Sequence, residues 1–171
     1  MKILKKFTAI TTAAVLLTAG NISILPAGAV NDFVVSASAS DEDVVASGNC
    51  GAEGANLIWT LDIEGTLTIN GEGAMADWEK LSDVPWYSYE KNIVNVIIED
   101  GVTNIGSSAF SYCRSLTLIT IPDSVTSIGS SAFSYCLNLT SIKIPDSVTN
   151  IGGSAFYFCE SLTAITILTA L

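Results

Sequence analysis

The chain has 171 residues, enough for one domain, and is strongly acidic, with 17 carboxylates against 7 basic side chains and a formal net charge of −10. That balance repels nucleic acid and anionic lipid, so neither is an expected partner. Histidine is absent altogether, which excludes Ser-His-Asp and Cys-His catalysis and the usual zinc ligand sets.

At the N-terminus, Lys2, Lys5 and Lys6 precede an apolar run at 7–19 that is too short to span a bilayer comfortably. Small-residue sites lie beyond it at Ala27-Gly28-Ala29 and Ala37-Ser38-Ala39. This is the grammar of a secretory signal over residues 1–29, with cleavage after residue 29 or residue 39, and no membrane span is expected once it is removed. Asn21 stands where a lipoprotein box would need a cysteine, so lipid anchoring is not supported. Residues 30–46 lack a strong period and read as a linker.

Residues 57–61 (LIWTL) and 66–69 (TLTI) alternate as strands do, and Asp62, Ile63, Glu64 and Gly65 between them have the composition of a hairpin turn. Gly71, Gly73, Met75 and Trp78 then lead onward. The region 47–84 is expected to form an N-terminal β cap, because the remainder of the chain is repetitive and repeat stacks expose core at their ends.

From residue 98 the same sentence is written three times: IEDGVTNIGSSAFSYCRSLTLIT (98–120), IPDSVTSIGSSAFSYCLNLTSIK (121–143) and IPDSVTNIGGSAFYFCESLTAIT (144–166), at a 23-residue period without insertion. In the middle copy, the alternation that closes 139–144 predicts a strand. Ile128, Ala132, Phe133 and Cys136 fall at helical spacing, predicting a short helix or 3-10 segment over 130–136. Pro122, Asp123 and Ser124 make a turn between them. One unit cannot bury enough apolar surface to offset the entropy of ordering it, whereas stacked units share a core. Phe110, Phe133 and Phe156 then form a ladder. Ile93, Val96 and Ile98 hold the strand positions one unit upstream, with Tyr87 at the Phe position, so 85–97 is a divergent first rung. This register gives four parallel strands, at 93–98, 116–121, 139–144 and 162–167. A fourth copy starts at Ile167 and loses the pattern over 167–171.

These units resemble the BspA-like class of bacterial leucine-rich repeats, and SGNCG, WTLD, GTLTINGEGAM and PWY resemble the lead-in segment of its secreted members; together the likeness covers 47–167. It implies a short leucine-rich-repeat solenoid of about four parallel strands with short helical segments and an N-terminal β-hairpin cap. It further implies a secreted or surface-displayed protein that binds or adheres to extracellular protein or glycan. It fixes no ligand.

Four side-chain sets are candidates for chemistry. Leu118, Ser141 and Ala164 form one outward strand column and Thr120, Lys143 and Thr166 another; this open sheet face is the candidate binding site, with plain solvation as the alternative. Asp100, Asp123 and Asp146 recur in register and read either as a calcium column or as turn residues bonding nearby backbone, the second being the usual behaviour of Asp in turns. Cys113, Cys136 and Cys159 recur three residues after each Phe and read as buried thiols, while Cys50 in the cap retains the option of a bond to one of them. Tyr112, Tyr135 and Phe158 form an aromatic column that either stacks on sugars or packs along an edge. No cofactor is expected. A carboxylate-based glycosidase is the enzymatic alternative, for which a small regular solenoid offers no pocket, and a non-binding piece of a longer array is the structural one. The strand at 162–167 is expected to be an open edge, which invites edge-to-edge self-association.

Overall fold

The computed structural model describes residues 43–167 and, in a separate N-terminal unit, the backbone of two short antiparallel strands, β1 (Val15–Thr18) and β2 (Asn21–Ile24). The rest of the signal reading and most of the linker reading lie outside the described residues. No helix of the described residues is long and apolar enough to cross a membrane.

The cap is larger than a hairpin. β3 (Val44–Gly51), which starts inside the stretch that reads as linker, pairs antiparallel with β4 (Gly54–Asp62), and β4 with β5 (Thr66–Gly71). Period-two alternation buries Leu57, Trp59, Leu61, Leu67 and Ile69 on one face. Asp62 closes the β4–β5 turn by accepting from the amides of Glu64 (2.9 Å) and Thr66 (2.8 Å).

The cap joins the repeats through backbone. β5 pairs parallel with β7 (Asn95–Ile98), and β7 with β9 (Leu118–Thr120), giving one sheet ordered β3-β4-β5-β7-β9. β11 (Ser141–Ile144) and β13 (Ala164–Ile167) continue the series as a separate parallel pair. The four expected strands are therefore present, each starting two residues later than the apolar pattern does. A second parallel sheet, which the sequence did not announce, runs along another side: β6 (Gly73–Ala74), β8 (Val102–Ile105), β10 (Ser127–Ile128) and β12 (Asn150–Ile151).

The third side differs from the expected helical segment. In the first unit the amides of Ala109, Ser111 and Cys113 bond three residues back, to Gly106, Ser108 and Phe110. The amides between them, of Ser108, Phe110 and Tyr112, instead donate to Ser130, Ala132 and Ser134 of the next unit at 2.8–2.9 Å. The segment is thus a chain of linked turns with every second amide spent on the neighbouring rung, and no continuous helix can form. Ser108 and Tyr112 take φ of 60° and 64° to aim those amides, and Ser131, Tyr135, Ser154 and Phe158 repeat the conformation. Positive φ is costly for residues with a Cβ, so the inter-rung bonds and ring stacking must offset it.

Inside the stack Phe110, Phe133 and Phe156 lie 5.4 and 5.5 Å apart, nearly parallel. The ladder's first member is Trp86, stacked on Phe110 at 5.5 Å, and not Tyr87, which is exposed. The register slips by one residue because the indole does two jobs: its ring extends the ladder, and its Nε1–H donates to Ala109 O at 2.8 Å, the bond that a Phe backbone amide makes to the equivalent Ala in later rungs. Trp59 and Trp78 pack edge-on against Trp86 and close the core under the first rung.

Candidate functional site

The outward strand positions form a continuous surface. Thr66, Asn95 and Leu118 are register partners across β5, β7 and β9, as are Thr68, Ile97 and Thr120; Ser141 pairs with Ala164 and Lys143 with Thr166 across β11 and β13. The six residues read from the sequence are all exposed, as expected of side chains opposite the buried Ile119 and Ile142. Thr66, Thr68, Asn95 and Ile97 are not legible as part of this surface in the sequence, because only the parallel pairing of a cap strand with the first rung brings them there. In a chain of net charge −10 these two rows hold no carboxylate, one cation, Lys143, and the exposed apolar side chains of Ile97 (39%) and Leu118 (54%).

Other candidates are assembled differently. Tyr112, Tyr135 and Phe158 do form a column, with centroids 4.6 and 5.1 Å apart and planes within 16°. The faces between them are therefore spent on one another and Arg114 lies over Tyr112 at 5.5 Å, so Phe158, stacked on Tyr135 alone and exposed, is the ring of the column without a second stacked neighbour. Asp100, Asp123 and Asp146 are exposed and make no hydrogen bond among the described residues, where no group of three or more potential ligands is gathered for a metal. The turn is instead tied by the adjacent serine: Ser124 Oγ donates to Val102 O (2.8 Å) and Ser147 Oγ to Val125 O (2.7 Å).

Cavities are shallow. A polar trough of about 230 Å³ is lined by Asp77, Asn104, Ser127 and Asn150, but Asn104 already bonds both the amide and the carbonyl of Met75. A groove of about 290 Å³ in the cap holds Asp62, whose carboxylate is committed to its turn.

All four cysteines are free thiols, three buried and Cys159 half-buried. Cys136 and Cys159 donate S–H to Phe110 O and Phe133 O, each at 3.1 Å, so the thiols are ladder donors. Burial pushes the Cys50 thiol up to about 12 from an ordinary value near 9, and pushes Cys113, Cys136 and Cys159 up as well. The folded state thus keeps protons that the unfolded chain releases, so their stabilisation is complete below pH 9 and is lost as pH rises through the folded values. Unfolding free energy is expected to fall as pH rises from 9 toward 12, and Cys50→Ala to remove part of that slope; an identical slope in the variant refutes the assignment.

Sheets of parallel strands set one per 23-residue unit, closed by a side-chain ladder and linked turns, define a leucine-rich-repeat solenoid. The chain belongs to the BspA type leucine rich repeat family, whose pattern matches residues 79–171, more than half of the sequence. It is similar to a leucine-rich repeat protein from Eubacterium ventriosum, with 27% identity and a TM-score of 0.52 over 72% of this chain and 45% of that one. It therefore spans less than half the length of that relative. A leucine-rich repeat protein from Bacteroides capillosus matches at 21% identity and a TM-score of 0.49, over 67% of this chain and 95% of that one. A leucine rich cell surface protein from Faecalibacterium prausnitzii matches at 20% and 0.39, over 66% and 53%. No curated protein sequence matches the chain.

Proposed function

We propose that this chain is an exported binding module whose outer sheet face, centred on Ile97, Leu118, Thr120 and Lys143, docks an extracellular protein. The observation that carries the reading is the composition of its two central rows, which are partly apolar and hold no carboxylate on a strongly acidic chain, with Glu99 and Asp100 at their margin beside Thr120. Charge keeps the rest of the molecule solvated and apart from other acidic surfaces, while exposed aliphatic side chains set among threonine methyls and hydroxyls suit a protein surface. A glycan fits less well, because the two rows of the face carry no aromatic ring and the aromatic column belongs to the turn segment on another side. Export rests on the signal grammar of residues 1–29, and adhesion at a cell surface is the setting that the family suggests.

The test is a binding screen of the purified chain against matrix proteins, mucins and glycans. A protein ligand is expected, with Leu118→Asp weakening it at least about tenfold and leaving the thermal midpoint unchanged. Uniform absence of binding, or binding indifferent to Leu118→Asp and Lys143→Glu, overturns the proposal. Release of sugar from polysaccharide, abolished by a single carboxylate substitution, would establish the enzymatic alternative in its place.

A further inference from the structure

Beside the two central rows of the outer sheet face runs a third, and it carries a fixed charge. Ile69 and Ile98 are register partners across β5 and β7, so Asn70 and Glu99, the residues that follow them, stand together on the same side as Thr68 and Ile97. Asn70 Nδ2 donates to Glu99 Oε2 at 2.6 Å and holds the carboxylate in place. Among the described residues Glu99 has no cationic partner, and Lys143, one period after Thr120, has no anionic one. The next two units place Pro122 and Pro145 where the first has Glu99, so this charge occurs once along the repeats. Between Glu99 and Pro122 the surface dips in an open hollow of about 410 Å³, walled by Glu99, Asp100, Thr120 and Pro122 and reaching down to the buried Ile98.

We propose that the protein partner of this face inserts a cationic side chain, Arg or Lys, into the hollow, next to its aliphatic contact with Ile97 and Leu118. The proposal rests on the docking reading and narrows it to one class of partner. The walls select the occupant. A long basic side chain lays its methylenes against the Pro122 ring and the Thr120 methyl and brings its charge to Glu99, whose Oε1 has no bond among the described residues. An apolar side chain there would strip water from a carboxylate and leave it unpaired, and an acidic one would meet Glu99 and Asp100. Because Asn70 already holds Glu99, little rotamer freedom is lost when the cation arrives. The net charge of −10 draws basic surfaces toward the chain over a longer range. Lys143 lies two strands away from Glu99, roughly 10 Å at the spacing of neighbouring strands, and calls for an acidic group. A base and an acid set that far apart on the partner fix its orientation on the sheet.

The probe is a phage-displayed library of random linear peptides selected on the immobilised full chain, with the survivors titrated as synthetic peptides against single-substitution chains. Peptides whose binding is lost on Leu118→Asp are those that use the face. These are expected to carry Lys or Arg, to bind at least about tenfold more weakly to Glu99→Gln, which keeps the shape of the side chain and removes its charge, and to weaken as salt is raised. Replacing the basic residue of the peptide by Ala should give the same loss, and the two losses should not add, since they remove one contact. Asp146→Asn removes an equal charge in the third unit and should change nothing, which separates the hollow from the general attraction of an acidic chain. Face-binding peptides that lack a basic residue, that are indifferent to Glu99→Gln, or that lose as much on Asp146→Asn overturn the inference and leave the docking reading standing. A library that yields no Leu118-dependent peptide overturns both.

Discussion

Phe133→Ala is expected to cost roughly 3 to 5 kcal/mol, the range for removing a fully buried aromatic side chain. Phe133 is completely buried between Phe110 at 5.4 Å and Phe156 at 5.5 Å, so the deletion removes a ring with a stacking neighbour on each face. The void cannot collapse easily, because the amides on either side hold the rungs at fixed spacing: Phe110 N bonds Ala132 O and Phe133 N bonds Ala155 O, both at 2.8 Å. Tyr135→Ala, two residues away on the same segment, should cost only about 1 kcal/mol, since Tyr135 is partly exposed even though it too is stacked on both sides. Urea denaturation of the two variants beside the parent chain measures the difference. Equal costs would mean that the inner and outer columns have been assigned to the wrong sides of the segment.

The contrast between these two columns is legible in the sequence alone, and so are the strands and the outward positions Leu118, Thr120, Ser141, Lys143, Ala164 and Thr166. A period of two inside a period of 23 fixes which residues share a face and which stack. Legibility fails where hydrogen bonding, rather than side-chain periodicity, decides the backbone. Ile128, Ala132, Phe133 and Cys136 sit at helical spacing, yet the amides of Ser131, Phe133 and Tyr135 go to the next rung, and nothing in the apolar pattern distinguishes that from a helix. The β6-β8-β10-β12 sheet uses strands as short as two residues, too short to have a period. Counting back 23 residues from Phe110 lands on Tyr87, but only an indole at residue 86 can fill the ladder and supply the missing N–H together. The candidate binding face reads from the repeats as two columns of three residues; its extension through Asn95, Ile97, Thr66 and Thr68 depends on a long-range parallel pairing that sequence alternation does not encode.

Gly129→Ala should destabilise the fold by an amount of order 3 kcal/mol, the upper end of what overpacking costs. A Cβ at this position would run into the backbone N of Ser107 and approach the carbonyl carbon of Gly106 to 2.7 Å. These are main-chain atoms of the preceding unit, so no rotamer change can relieve the clash; the rungs would have to separate. Separation would strain the bond from Gly129 N to Ile105 O at 2.8 Å and the Phe110–Phe133 stack beside it. Gly106 and Gly152 sit in the same place in their own rungs, pressed against Ala76 and against Gly129 and Ser130, which is why the unit carries glycine here in all three copies. Gly153, its immediate neighbour in the third unit, supplies the control. A Cβ there meets nothing within 4 Å, and the other two units already place Ser107 and Ser130 at that position. Gly153→Ala is therefore expected to be neutral or to stabilise by a few tenths of a kcal/mol through the unfolded chain. Thermal and urea unfolding of the two single variants should differ by about 3 kcal/mol, nearly all of it lost in Gly129→Ala. A Gly129→Ala chain as stable as Gly153→Ala would show that the rungs can spread without cost, and close backbone stacking could then no longer be what holds this solenoid together.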